Sequence, residues 1–246
     1  MLASKLKKLA ALPKHYSRFS SEWRAFKAAE AQESELRFPE AKKSERVASL
    51  WEATQTTAFD AHYLYHTAWA VRAIARKAPA KHVDISSSLY FSATLSAMVL
   101  TEFYDFRTTV VDLDNLKCGQ ADLTSLFFED GSLESLSCMH TIEHVGLGRY
   151  GDPIDVNGDL KAAQELGRVV APGGILLMVV PVGTQRIVFN SHRIYARANL
   201  LAMFPDFDPV EIALVRDDRR FVVNPPNEEF DAQEYGCGCF LLKKRA

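Results

Sequence analysis

LKAAQELGRVVAPGGILLMVVPV, residues 160 to 182, decides the class of the fold. Leu160 to Val170 reads as a helix, and Pro172-Gly173-Gly174 closes it as a turn, because proline cannot continue a helix and glycine suits tight turns. Ile175 to Val182 is then the strongest strand candidate in the chain. A continuous apolar run of that length suits a central parallel strand covered on both faces.

The same alternation extends outward. Lys81 to Ile85 is a short strand that closes on an acid, Asp84. Leu89 to Phe103 reads as an apolar helix, and Thr108 to Asp112 as a second strand closing on an acid. Leu133 to His140 is a weaker, serine-bearing strand. Asn199 to Phe204 reads as helix, Val210 to Val215 as strand and Tyr235 to Leu242 as the last strand. Repeated β-α units with two final strands joined directly predict a Rossmann-like, doubly wound α/β sheet, mostly parallel, whose last strand is antiparallel. This domain is expected over residues 81–246, behind a helical extension over residues 1–80.

Ser17 to Ala80 reads as helical throughout, rich in Ala, Glu and Lys, and it ends in an aromatic segment with Phe59, His62, Tyr63, Tyr65, His66 and Trp69. The first 28 residues hold seven Lys/Arg and one acid, Glu22. Leu2, Leu6, Leu9 and Leu12 recur at helical spacing until Pro13, which is expected to stop the helix. Residues 1–16 are thus a helix packing its leucines on the domain or, alternatively, a peripheral contact with an anionic membrane surface. The lysines before Leu9–Leu12 resemble a signal peptide, but that apolar stretch is too short for one.

Composition limits the function classes. With 246 residues, 48% hydrophobic, 24% charged and net charge −2, the chain can bury a full core and is not a disordered polymer. The near-neutral balance argues against a dedicated nucleic-acid binder. No apolar run reaches the roughly 20 residues that span a bilayer. Four cysteines, Cys118, Cys138, Cys237 and Cys239, make no disulfide framework, so a reduced, cytoplasmic setting is expected, with peripheral contact to the inner face of the membrane as the alternative.

In such a sheet, ligands bind beyond the carboxyl ends of the strands. Asp112 at the expected second strand end suits the two hydroxyls of a ribose, and Asp122 in GQADLTSL suits an exocyclic adenine amine. Both acids, and Asp84, could instead cap helices or sit in ordinary loops. HTIEHVG, His140 to Gly146, follows the fourth strand, where a reacting group belongs. His144 or Glu143 is the candidate base, since imidazole titrates near neutrality. Purely structural histidines are the alternative. His140 and His144 are four apart, but without an H-E-x-x-H order or a third ligand nearby no metal is expected. Arg149, Tyr150, Asp152 and Asp155 in the glycine-bearing loop GRYGDPID could line a polar pocket or merely form a turn. Asn190, His192, Arg193 and Tyr195 would stand beside the same opening. Cys237 and Cys239 alternate on one strand and read as buried thiols. Neither a G-x-S-x-G elbow nor a phosphate-binding P-loop occurs, and no G-x-G-x-x-G follows the first strand.

Strand-acid, strand-acid, EDGSLESLSCMHTIEHV and RVVAPGG together resemble the class I S-adenosylmethionine-dependent methyltransferases, well over residues 81–183 and loosely beyond. GLGRYGDPIDVNGDL and FNSHRIY are similar to a bacterial branch associated with surface-polysaccharide genes. The resemblance implies S-adenosylmethionine as cofactor, with Asp84, Ser86 and Ser88 at its methionine end, Asp112 at the ribose, Asp122 at the adenine and His140 in the same site. It implies an acceptor hydroxyl on a sugar or glycan precursor, oriented by Arg149 and His192 and lined by Tyr150, Asp152 and Arg193. One departure stands out: the family's first loop reads acid-x-Gly-x-Gly, whereas Ser86 and Ser88 stand here. A non-catalytic binding module acting through a protein or membrane partner is the rival expectation.

Overall fold

The computed structural model describes residues 2–107 and 109–246, with side chains from residue 9 onward. The chain forms two compact units, Met1–Phe59 and Asp60–Ala246, so the boundary lies well before the expected one at residue 80.

In the first unit, helix α1 (Leu2–Glu30) runs through Pro13 instead of stopping there. A proline removes one amide donor, and the flanking turns of this long helix carry it past the gap. Apart from one 3-10 turn, Lys43–Glu45, the remainder of the unit is not helical, against the expectation from its composition. Pro39 disfavours helical backbone at Phe38, and residues 31–59 are pinned back along α1 by polar anchors. Lys27 Nζ bonds Glu40 at 3.0 Å and the Ala41 carbonyl at 3.3 Å. Arg18 donates to the Leu50 carbonyl at 3.0 Å, and the His15 ring lies 4.3 Å from that of Trp51. No helix among the described residues is long and apolar enough to cross a membrane.

The second unit opens with α2 (Ala61–Lys77). Asp60 caps it by accepting from the Tyr63 amide, and left-handed Ala78 followed by Pro79 ends it. In chain order come β1 (Lys81–Ile85), α3 (Leu89–Leu95), β2 (Leu100–Asp105), β3 (Leu116–Gln120), β4 (Leu133–Met139), α4 (Gly158–Val169) and β5 (Val170–Val182). Next are β6 (Arg186–Val188), β7 (His192–Ile194), α5 (Arg197–Ala202), β8 (Phe207–Val215), β9 (Phe221–Val223), α6 (Glu228–Asp231) and β10 (Gly236–Lys244). The main sheet has the order β3-β2-β1-β4-β5-β10-β8-β9. Strands β1 to β5 pair parallel. β10 inserts antiparallel between β5 and β8, so the doubly wound sheet with an antiparallel last strand stands as expected.

β5 explains why the sheet needs two layers. Leu176, Met178, Val180 and Val182 join one buried cluster with Ala162, Leu166 and Val169 of α4. Ile175, Leu177 and Val179 join the other, with Trp69, Ala73 and Ile74 of α2 and Phe91 and Leu95 of α3. Successive side chains of a strand point to opposite faces, so an unbroken apolar strand must be covered twice. Each such side chain contributes about 1.5–3 kcal/mol on full burial.

The main departure from expectation concerns the second strand. The helix expected to reach Phe103 ends at Leu95, and LTEFYD, Leu100–Asp105, is β2. Thr108, where the strand was expected to start, lies outside the described residues, and 109–112 form no strand. Thr101 and Phe103 are buried while Glu102 and Tyr104 are partly exposed, a period of two that the apolar content of the region conceals. The sheet order reverses direction between β1 and β4, so a crevice opens at the carboxyl ends of those strands.

Candidate functional site

A cleft of about 850 Å³, counting space open to solvent, lies there. Ser86 follows β1, Asp105 ends β2, Ala121 to Thr124 follow β3, and His140, Thr141 and His144 follow β4. Tyr150, Asp152 and Asp155 close it from the loop before α4.

Beneath the cleft, β1 and β4 are joined by a buried polar chain. The Ser92 hydroxyl donates to Asp84 at 2.8 Å, and Ser137 donates to the other carboxylate oxygen. Because Ser137 spends its proton on Asp84, it must accept from His82 Nε2 at 2.9 Å, leaving His82 Nδ1 to accept from Ser135 at 2.8 Å. Burial raises the Asp84 carboxyl to about 6, against the opposing bonds from Ser137, Ser87 and Ser92. Burial alone lowers His82 to about 3. Asp84 is fully buried and is absent from the cleft wall. It holds the first loop rather than standing in the site: Ser87 bonds it and also accepts from the Met139 amide at 2.9 Å.

Ser86 adopts φ +57°, the left-handed conformation that glycine takes without strain. Its amide donates to the Tyr104 carbonyl at 2.7 Å, and its own carbonyl accepts from Thr141 Oγ1 at 2.9 Å. The loop therefore keeps its shape with serine in it. Ser88 takes φ −68° before α3 and does not line the cleft.

The acid at the β2 end is Asp105, about 20 residues beyond Asp84, the spacing of a ribose-binding acid. It accepts from the Arg107 amide at 2.8 Å and lines the cleft. Asp112 is exposed, beyond β2, and away from the cleft. Sequence reading missed Asp105 because it placed the strand too late. Asp122 lines the cleft as expected, with one oxygen held by the Thr124 amide at 2.8 Å and hydroxyl at 2.7 Å.

After β4, His140 stands at φ +55°, another left-handed residue. Its Nδ1 lies 3.0 Å from the buried Glu143. The second Glu143 oxygen is buried without a hydrogen-bond partner among the described residues. His144 Nδ1 lies 2.6 Å from the Ser191 carbonyl, and its Nε2 lies 3.8 Å from Glu143. A carbonyl only accepts, so Nδ1 carries the proton and Nε2 keeps the lone pair of a ring that lines the cleft. Burial lowers the His144 pKa, against the neighbouring Glu143 charge. The imidazole is therefore neutral near pH 7.

The expected acceptor-binding set divides. Tyr150 lines the cleft, with the Arg107 and Arg149 guanidiniums 4.7 and 5.2 Å from its ring centre. Asp152 lines it too, yet its carboxylate accepts from the amides of Gly146 at 2.7 Å and Tyr150 at 3.2 Å and so shapes the loop. That loop needs Gly146, whose φ is +80° and whose missing Cβ would fall 2.0 Å from the Asp155 carbonyl oxygen. Arg149 donates to the Ser191 carbonyl at 2.9 Å, outside the cleft wall. His192 packs 4.9 Å from the Tyr235 ring, also outside it. Arg193 is buried, donates to the Val145 carbonyl at 2.7 Å and pairs with Asp159 at 3.5 Å. It braces the loop from behind.

A family described as Caenorhabditis protein of unknown function, DUF268, matches residues 121–234 by its sequence profile. That span runs from the loop after β3 to the approach to β10 and includes both Asp122 and His144. No curated protein matches the sequence. Among solved structures, the chain is similar to the Burkholderia thailandensis 1,6-didemethyltoxoflavin-N1-methyltransferase, solved with 1,6-didemethyltoxoflavin and S-adenosylhomocysteine. Identity is 11%, the TM-score is 0.52, and 74% of this chain and 79% of that one are covered. It is also similar to the N-methyltransferase NodS of Bradyrhizobium japonicum WM9, solved with S-adenosylhomocysteine. There identity is 10%, the TM-score 0.50, and coverage 80% and 92%. At these identities the likeness is one of fold: the chain shares the Rossmann-like α/β fold of these methyltransferases.

Proposed function

We propose that the cleft binds S-adenosylmethionine and that the protein transfers its methyl group to a hydroxyl of a small polar acceptor, such as a sugar or glycan precursor. The observation that carries this reading is the position of Asp105 and Asp122. Two carboxylates stand at the ends of adjacent strands, in a cleft whose walls also hold Phe106, Leu123 and Val145. Such a pair of acceptors fits a ribose and an adenine edge beside an apolar ring.

In this reading Asp105 holds the ribose hydroxyls, Asp122 the adenine amine, and the Ser86 loop the methionine end. The bound cofactor supplies a methyl group already activated by its sulfonium. The chain's work is therefore to align the acceptor and to remove its proton. The Nε2 lone pair of the neutral His144 ring, which lines the cleft, takes that proton. The Glu143 carboxylate beside it favours the imidazolium that results. Tyr150, Arg107 and Asp155 border the space left for the acceptor, and their mixed polar and aromatic character supports a sugar-like ligand.

Calorimetric titration of the whole chain with S-adenosylhomocysteine tests the reading without knowledge of the acceptor. Saturable binding at micromolar ligand is expected. Absence of binding at millimolar ligand would overturn it and favour a binding module built on the same fold.

A further inference from the structure

The aromatic helix α2 brings His62 to the far side of His140, and β10 brings Cys237 to the same point. The ligand atoms of His62, His140 and Cys237 lie within 4.8 Å of one another. We propose that these three side chains bind a zinc-class divalent cation, independently of any methyl-transfer reading.

The donor set is two imidazoles and a thiol, which suits zinc and its soft-tolerant neighbours and does not suit the oxygen-seeking calcium or magnesium. His140 Nε2 stands 3.4 Å from Cys237 Sγ. Two ligands of one tetrahedral zinc lie about 3.3–3.8 Å apart, given bonds of roughly 2.0–2.3 Å. This pair already has the required separation, and His62 must approach from its stacked position, 5.7 Å between ring centres.

Metal-binding histidines characteristically donate their second ring N–H to a carboxylate or a carbonyl, which fixes tautomer and orientation. His140 does so here: Glu143 holds its Nδ1 at 3.0 Å. His140 is placed by a left-handed backbone at the end of β4, a strain that clusters at functional positions. A further imidazole packs edge-on at 5.1 Å: His66, fully buried, spends Nδ1 on the His62 carbonyl and leaves Nε2 without a hydrogen-bond partner among the described residues. Tyr63 and Tyr235 pack against the cluster.

Binding breaks the Cys237 S–H bond, forms a metal–thiolate bond and releases the proton to solvent. Three protein ligands leave one tetrahedral position for a water or another oxygen or sulfur donor. His140 also lines the cleft, so a metal at this point would stand at its wall.

The test is titration of the chelator-treated full chain with Co2+, followed by competition with Zn2+. One equivalent of Co2+ is expected, with a thiolate-to-cobalt charge-transfer band that Zn2+ abolishes. Cys237→Ser should remove the band, while Cys239→Ser, on the neighbouring thiol, should keep it. His62→Asn should weaken binding at least about tenfold, and Glu143→Gln by roughly 10–100-fold through loss of orientation. Should Cys237→Ser fail to fold, as judged by circular dichroism, the half-buried His62 decides the matter. A wild-type chain without the band at millimolar Co2+, or undiminished affinity in His62→Asn, overturns the site.

Discussion

His144 donates its Nδ1 proton to the Ser191 carbonyl at 2.6 Å, and that one bond determines which nitrogen keeps the lone pair. The free Nε2 is the only lone pair the neutral ring retains. His144→Ala should therefore lower the methyl-transfer rate by about 10²–10⁴-fold, the usual worth of a positioned base. S-adenosylhomocysteine affinity should change little. Because burial lowers the His144 pKa, the acid limb of the pH–rate profile should fall below the ordinary histidine value. A parallel loss of cofactor binding, or an unchanged rate, would remove His144 from this role.

Asp105, not Asp112, ends the second strand of the sheet. Asp105→Ala should weaken S-adenosylhomocysteine binding by about tenfold to a hundredfold, since charge-assisted hydrogen bonds are worth about 1.5–3 kcal/mol. Asp112→Ala, at an exposed loop position, should leave the calorimetric titration unchanged. Equal effects of the two substitutions would contradict the assigned ribose site.

The contrast between these two acids shows what could be read in advance. β5 and β10 are legible because a buried strand between two helical layers must be apolar throughout. Asp122 is legible from its GQADLTSL loop, and His144 from its place after the serine-bearing segment that forms β4. β2 is not, because TEFY carries its period of two through threonine and tyrosine, beside a helix of similar apolar content. Asp84 reads as a site acid at a strand end, yet its place in a Ser92–Ser137–His82 chain depends on pairing between β1 and β4. The His62, His140 and Cys237 cluster is illegible for the same reason: its members come from a helix, a loop and a strand far apart in sequence. Arg193 looks like a binding cation until its partners Val145 and Asp159 appear.

Ser86 holds a left-handed backbone that costs an L-residue about 1–2 kcal/mol. Glycine removes that strain but adds unfolded-chain entropy of roughly 0.5–1 kcal/mol and loses the 3.3 Å bond from Ser86 Oγ to the Tyr104 carbonyl. Ser86→Gly should thus move the melting temperature by only a few degrees, in a thermal scan, and keep S-adenosylhomocysteine affinity within about tenfold. Binding that appears only after glycine is introduced would show instead that the serine loop closes the site.

Asp84 and His82 sit on one buried chain and titrate with opposite consequences for stability. The folded Asp84 carboxyl, raised to about 6 from 3.8, binds its proton more tightly than in the unfolded chain. Its contribution is full below about pH 4 and is lost as pH rises to 6, by on the order of 3 kcal/mol. The folded His82, lowered to about 3 from 6.5, binds its proton less tightly. Its contribution is full above pH 6.5 and is lost as pH falls towards 3. Between pH 4 and 6 the two slopes oppose each other, so this chain makes little net demand on the wild-type pH profile. Asp84→Asn removes the falling slope and leaves the rising one. Urea denaturation of both proteins at half-unit steps from pH 4 to 7 should show the stability difference moving in favour of the variant as pH rises to 6, then levelling. Parallel curves across that window would mean that Asp84 stays ionised in the folded chain, stabilised by its three serines against the cost of burial.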